Sequence, residues 1–335
     1  MSLRSQAPRL AARSASWRAS QRRAFHPRSA WRRASKLDAH FSAIYGERWP
    51  ELRAAMLGPS QHVALLNPLH ASAARAVFTE TTHEIDIAGV SLMTSPQTLP
   101  QPAPLDDGRP SHYNFDRASV LPALALAPQP GHRVLDACAA PGGKALALAA
   151  QILHAGGELI CNDKSAKRRA GLERMLERYL GGADAATRVT GADATRPDVA
   201  EWPSHFDRIL VDAPCSSERH IMQAPRTPWT PSRLSRDADV QLRLLRAAAS
   251  RLAPGGLLVY ATCSLAPTEN DEVVDRVLAE CPLELHDAMT AGHLGDATAA
   301  PLLQGAERTR CGAIVLPDAG GGAGPLFWAV LRIAD

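Results

Sequence analysis

The spacing of apolar residues changes character near position 131. Upstream, Leu37-Asp-Ala-His-Phe-Ser-Ala-Ile-Tyr-Gly-Glu-Arg-Trp-Pro-Glu-Leu-Arg53 carries a helical period that is broken at Gly46 and Pro50. Residues 58–112 are rich in proline and turn formers, with strand-like pieces only around Ile85 to Met93. They predict a small irregular subdomain. Asn114-Phe-Asp-Arg-Ala-Ser119 is then expected to open a helix.

From 131 onward, short apolar runs alternate with longer amphipathic stretches. Strands are expected near 133–138, 158–162, 187–190, 207–212, 256–262, 283–287 and 326–333. Helices are expected near 143–154, 165–180, 232–252 and 268–280, the last with a cap signal in Thr268-Glu-Asn-Asp271 after Pro267. This alternation is the mark of βαβ units around a parallel sheet. Asp318-Ala-Gly-Gly-Gly-Ala-Gly324 reads as a flexible hairpin connection.

Composition adds a boundary at the amino end. Of 37 basic residues, nine Arg and one Lys fall within residues 1–36, which hold no acid, so this segment carries +10. The remaining 27 basic and 34 acidic residues give −7. An Arg-rich, Ser-rich, acid-free leader reads as a mitochondrial transit peptide, with a basic RNA-binding arm as the rival reading. Three units are therefore expected: a leader at 1–36, an amino-terminal subdomain at 37–112 and the α/β domain at 113–335. With 45% hydrophobic residues the core can be large, yet no apolar run approaches the ~20 residues of a membrane helix. Six cysteines without a Cys-x-x-Cys pair argue against a disulfide scaffold or a structural zinc, and no metal is expected.

The candidate chemistry lies at strand ends, which gather along one edge of an open parallel sheet. The first strand runs into Asp136-Ala-Cys-Ala-Ala-Pro-Gly-Gly-Lys144, a glycine turn that lets backbone approach a ligand. It is neither Gly-x-Gly-x-x-Gly nor a Walker loop. Asp163 closes the second strand, where a carboxylate can accept from ribose hydroxyls, and Asp193 ends the third, suited to an adenine amino group. Two more strands end in Asp212-Ala-Pro-Cys215 and Thr262-Cys263-Ser264. A lone strand-end cysteine is more often a small buried hydrophobe. Two of them beside a nucleotide-type turn point to methyl transfer onto carbon 5 of cytosine. A thiolate adding at carbon 6 makes the unreactive carbon 5 nucleophilic. Asp212 could bond the cytosine edge and, with a pKa raised by burial, stabilise the resulting enamine. Cys138, Cys161, Cys281 and Cys311 are assigned to packing.

These motifs resemble the Sun/RsmB family of RNA cytosine-5 methyltransferases, and the Leu37–Arg53 stretch is similar to the start of the mature mitochondrial ribosomal-RNA member. The resemblance implies the Rossmann-like class I methyltransferase fold with a seven-stranded sheet and S-adenosylmethionine as cofactor. It implies contacts to that cofactor from Gly142, Gly143, Lys144, Asp163, Arg168, Asp193 and Asp212. It assigns Cys263 as nucleophile and Cys215 as the residue that promotes release, with RNA as the substrate. Mitochondrial small-subunit ribosomal RNA is the expected target in the mitochondrial matrix, with transfer RNA or a non-catalytic ribosome-assembly role as alternatives. Arg219 and His220 could contact phosphate or the flipped base, or belong to an ordinary surface turn. An acidic mature chain without an appended RNA-binding module is compatible with a protein targeting partner.

Overall fold

The computed structural model describes residues 27–78, 82–152, 156–181, 187–224 and 229–334, with side chains of the first helix described from Lys36. Residues 1–26 of the leader lie outside this range.

Helix α1 spans Pro27–Tyr45 and buries Leu37 and Phe41, one helical turn apart. Helix α2, Trp49–Leu57, buries Trp49, Leu52 and Met56. Pro50 sits in its first turn, where a missing N–H costs no helix bond, so the expected break is a helix start. Phe41 stacks on Trp49 at 5.4 Å and meets Trp229 of the later chain at 5.6 Å.

The stretch expected to be irregular is ordered. Strand β1 (His62–Leu66), helix α3 (Ala71–Arg75), β2 (His83–Ile87), β3 (Val90–Thr94) and β4 (His112–Asp116) follow in turn. The four strands form an antiparallel sheet in the order β2-β3-β1-β4. Asn114 to Asp116 therefore end a strand instead of opening a helix; a 3-10 turn, Arg117–Val120, leads into α4, Leu121–Leu126, whose six residues are all buried.

The α/β part runs β5 (Arg133–Asp136), α5 (Gly143–Ile152), β6 (Glu158–Asn162), α6 (Ala166–Leu180), β7 (Thr187–Thr190), β8 (Phe206–Asp212), α7 (Glu218–Gln223), α8 (Pro231–Ala249), β9 (Leu252–Thr262), α9 (Asp271–Glu280), β10 (Leu283–His286), β11 (Ala306–Arg308), β12 (Ala313–Val315) and β13 (Leu326–Ile333). All seven expected strands are present. The sheet has nine strands, because the short β11 and β12 extend one edge in the order β11-β12-β13-β9-β8-β5-β6-β7, with β10 also paired to β13. Strands β5 to β9 are parallel and β13 runs against them.

Side-chain alternation splits the interior into two layers. Val134, Leu159, Leu210, Val259 and Trp328 face the layer holding α4, α5, α6 and the small antiparallel sheet. Leu135, Ile160, Ile209, Tyr260 and Phe327 face the layer holding α1, α2, α8 and α9. The strand ends are thus held from both faces, and the loops leaving β5, β6, β8 and β9 share one edge.

The glycine-rich connection from β12 to β13 is pinned at several points. Arg117, 2% exposed, donates to the carbonyls of Leu302, Gln304 and Gly320 and to the Gln61 side chain. Arg219 donates to the carbonyls of Gly322, Gly324 and Gly58. Gly324 N–H donates to Asp116. Arg219, which sequence reasoning offered to phosphate or base, is used within the fold.

Candidate active site

The turn after β5 is shaped by its two glycines. Gly142 has φ +118°, and a Cβ there would come within 2.9 Å of Leu172 on α6 and closer still to Met175. A Cβ on Gly143 would lie 2.8 Å from the Tyr113 ring. Lys144, in the first turn of α5, reaches Asp212 at the end of β8 with a 2.9 Å ion pair. Burial works against the charge on Lys144, but Asp212 outweighs it and its pKa is raised. The carboxyl that the sequence places at the cytosine edge thus stands in an ion pair with Lys144.

Asp163, 3% exposed, accepts from Ser165 N–H through Oδ1 and has the Arg168 guanidinium 3.3 Å from Oδ2. That ion pair lacks hydrogen-bond geometry, and Oδ2 is buried without a donor. Arg168 also donates to the Ala140 carbonyl, tying α6 to the glycine turn. Asp193 already receives Lys164 at 2.6 Å and the Thr195 hydroxyl at 2.8 Å. A buried carboxylate oxygen that accepts no hydrogen bond, next to a turn stripped of side chains, suits the hydroxyls and backbone-hugging chain of S-adenosylmethionine.

Asp136, which sequence reasoning passed over, is the most perturbed acid here. It is wholly buried at the end of β5, and neither carboxyl oxygen makes a hydrogen bond of normal geometry. Burial first, and the nearby charge of Asp212 second, push its pKa up to about 8.

The two cysteines meet. Cys215 Sγ lies 3.1 Å from Cys263 Sγ, with Cys263 exposed and Cys215 9% exposed. Cys263 is lowered from the ordinary thiol value by the hydrogen bond from Cys215, with help from Ser217 and Lys144. Cys215 is raised by the same contact and by burial. Burial likewise raises Cys138, Cys281 and Cys311.

Behind the thiols lies a polar cluster that the sequence did not reveal. Glu269, fully buried in the turn before α9, accepts from Ser216 N–H, Ser264 Oγ and Gln241 Nε2 at 3.0, 2.6 and 3.0 Å, and contacts Ser216 Oγ. It binds together the residues that follow Cys215 and Cys263. Ser216 Oγ also contacts Glu218, equally buried. Burial raises the pKa of both acids. Asn270, at the start of α9, makes no side-chain cap. Its amide instead accepts from Thr262 at 2.6 Å and donates to the Ser264 carbonyl at 3.0 Å, bracketing Cys263. Among the described residues no cluster suited to a metal ion is found. Likewise no described helix is long and apolar enough to cross a membrane.

The strand order, the glycine turn and the acids at the strand ends define a class I methyltransferase. Residues 123–300 match the 16S rRNA methyltransferase RsmB/F family, and the chain belongs to it. It is 30% identical over 318 residues to the mitochondrial tRNA (cytosine(34)-C(5))-methyltransferase of Mus musculus, covering 89% of each chain. It is 30% identical over 278 residues to the 5-cytosine rRNA methyltransferase NSUN4 of Bos taurus, covering 71% of each. A methyltransferase homologue from Pyrococcus horikoshii superposes with a TM-score of 0.64 at 25% identity, over 86% of this chain and 92% of that one. The protein is an RNA cytosine-5 methyltransferase that uses S-adenosylmethionine.

Proposed function

We propose that Cys263 attacks carbon 6 of an unpaired or flipped cytosine and that Cys215 assists its departure after methylation. The observation that carries this reading is geometric: the two sulfurs touch at 3.1 Å, with Cys263 exposed to an incoming base and Cys215 buried behind it. A Cys215 S–H directed at Cys263 favours the attacking thiolate. After methyl transfer a base removes the carbon-5 proton, its electron pair re-forms the carbon 5–carbon 6 double bond, and the same S–H contact stabilises the thiolate that leaves. Asp212, with Oδ2 held by Lys144, keeps Oδ1 for the cytosine edge, and the Lys144–Asp212 pair offers a proton to ring nitrogen 3 as carbon 6 is attacked.

S-adenosylmethionine, when bound, supplies the methyl group as an electrophilic sulfonium. Gly142 and Gly143 would face it with backbone, Asp163 and Arg168 would hold its ribose, Asp193 its adenine, and Lys144 and Asp212 its reacting end.

The basic leader, residues 1–36, directs the chain to mitochondria in this reading, leaving 37–112 and 113–335 as the mature enzyme. Small-subunit ribosomal RNA is the proposed target, on the similarity of Leu37–Arg53 to the ribosomal-RNA member and on NSUN4 among the relatives. A transfer-RNA target is the second reading, favoured by the longer alignment with the mouse tRNA enzyme.

Cys263→Ala is expected to abolish methylation and form no adduct, whereas Cys215→Ala traps a protein–RNA adduct that survives a denaturing gel. The adduct in Cys263→Ala instead would exchange the two roles. Bisulfite sequencing of mitochondrial RNA with and without the protein identifies the modified cytosine.

A further inference from the structure

Ser217 occupies an uncommon position for its residue type. It directly precedes α7 and has φ +53° and ψ +57°, the left-handed region in which a Cβ is crowded. The hydroxyl carried at this cost does not cap the helix. It lies 3.2 Å from Cys263 Sγ and 3.5 Å from Cys215 Sγ, and 3.3 Å from the Cys215 carbonyl. Ser217 is therefore the one hydroxyl among the described residues placed in hydrogen-bond reach of both sulfurs.

Resting on the proposed nucleophilic role of Cys263, we propose that Ser217 is a third member of the thiol site, whose hydroxyl donates to the Cys263 sulfur whenever that sulfur is a thiolate. The contact acts twice in a cycle. Before attack, Ser217 Oγ–H and Cys215 S–H together hold the thiolate. When the carbon–sulfur bond forms, the sulfur pair moves into the bond and the hydroxyl turns to the Cys215 carbonyl, 3.3 Å away. On release a base takes the carbon-5 proton, the carbon–hydrogen pair re-forms the ring double bond, the carbon–sulfur pair returns to Cys263 and the hydroxyl turns back. No proton changes owner at Ser217, so the cycle leaves it unaltered. The other groups acting on Cys263 are Lys144, which favours its charge, and Asp212, which opposes it. Neither can replace a donor in contact with the sulfur.

The backbone conformation gives the test unusual resolution. Ser217→Gly removes the hydroxyl and relieves the positive φ, so a structural role and a chemical role predict opposite outcomes. The full chain is treated with iodoacetamide across pH 6 to 10, and Cys263 alkylation is followed by peptide mass spectrometry beside RNA methylation. In Ser217→Gly the alkylation midpoint is expected to rise by about one pH unit, as for loss of one hydrogen bond to a charged group. Methylation at pH 7 should fall about tenfold, and thermal stability should hold or rise. Ser217→Ala, which keeps the strain, should show the same chemical shift with no gain in stability. An unchanged midpoint and rate in folded Ser217→Gly, with Cys263→Ala inactive, overturns the role of Ser217 and leaves the nucleophile in place. Methylation surviving in Cys263→Ala overturns the underlying reading and this proposal with it.

Discussion

Asp136 offers a measurement whose size follows from the structure. Its carboxyl is wholly buried and lacks a normal hydrogen-bond donor, so the fold favours the neutral form up to about pH 8. In the unfolded chain the same group ionises near the ordinary value of 3.8. Between those limits the folded state keeps a proton that the unfolded state has released. Stability from this residue is complete below 3.8 and drains away as pH rises through the folded value, by ~1.4 kcal/mol per pH unit. Asp136→Asn has nearly the same shape and no proton to exchange, so its contribution is flat. Urea denaturation of both proteins at pH 5 and pH 7 isolates the difference, since every other titrating group is common to the pair. The variant should gain about 3 kcal/mol on the wild type between those two pH values. Equal relative stability at both would mean that Asp136 is already ionised in the fold, and the assignment of a buried neutral acid would fail.

Three further outcomes are expected. Glu269→Ala strands the donors of Ser216, Ser264 and Gln241 and should cost at least ~4 kcal/mol in urea denaturation. Glu269→Gln, which can turn its NH2 toward the two rotatable hydroxyls, should cost about 1–2 kcal/mol, and equal losses would refute the clamp. Asp163→Ala should weaken S-adenosylmethionine binding by ~2 kcal/mol, about 30-fold by calorimetry, and unchanged affinity removes Asp163 from the cofactor site. A reporter carrying residues 1–36 should enter mitochondria; a cytosolic reporter revives the RNA-binding arm.

The parallel core was readable because β5, β6, β8 and β9 are buried on both faces and appear as near-continuous apolar runs. Strands β11 and β12, three residues each, are too short to show an alternation. Of the amino-terminal sheet only the stretch from Ile85 to Met93 was legible, and β2 and β3 lie there; β1 and β4 are set among prolines and turn formers that masked them. Within the site, the residues with recognisable motifs were found and their supports were not. Glu269 looks like an ordinary acid at a helix start, and Asn270 like a cap. Only tertiary contact shows that both serve the cysteine loops. The place of Arg219 was open in the sequence for the same reason: nothing nearby announces Gly322 and Gly324 as its acceptors.

Arg117 and Arg219 also do what a bound ion does in many folds. Each gathers three or more backbone oxygens from distant segments around one positive charge. Here the cation is tethered covalently, cannot be chelated or diluted away, and keeps its charge at any physiological pH. The junction between the helix that follows Cys215, the Gly58 turn and the carboxyl-terminal glycine loop is thereby independent of the ionic make-up of its surroundings. It rests instead on two codons, since a lysine in either place could supply the charge but not the planar fan of donors.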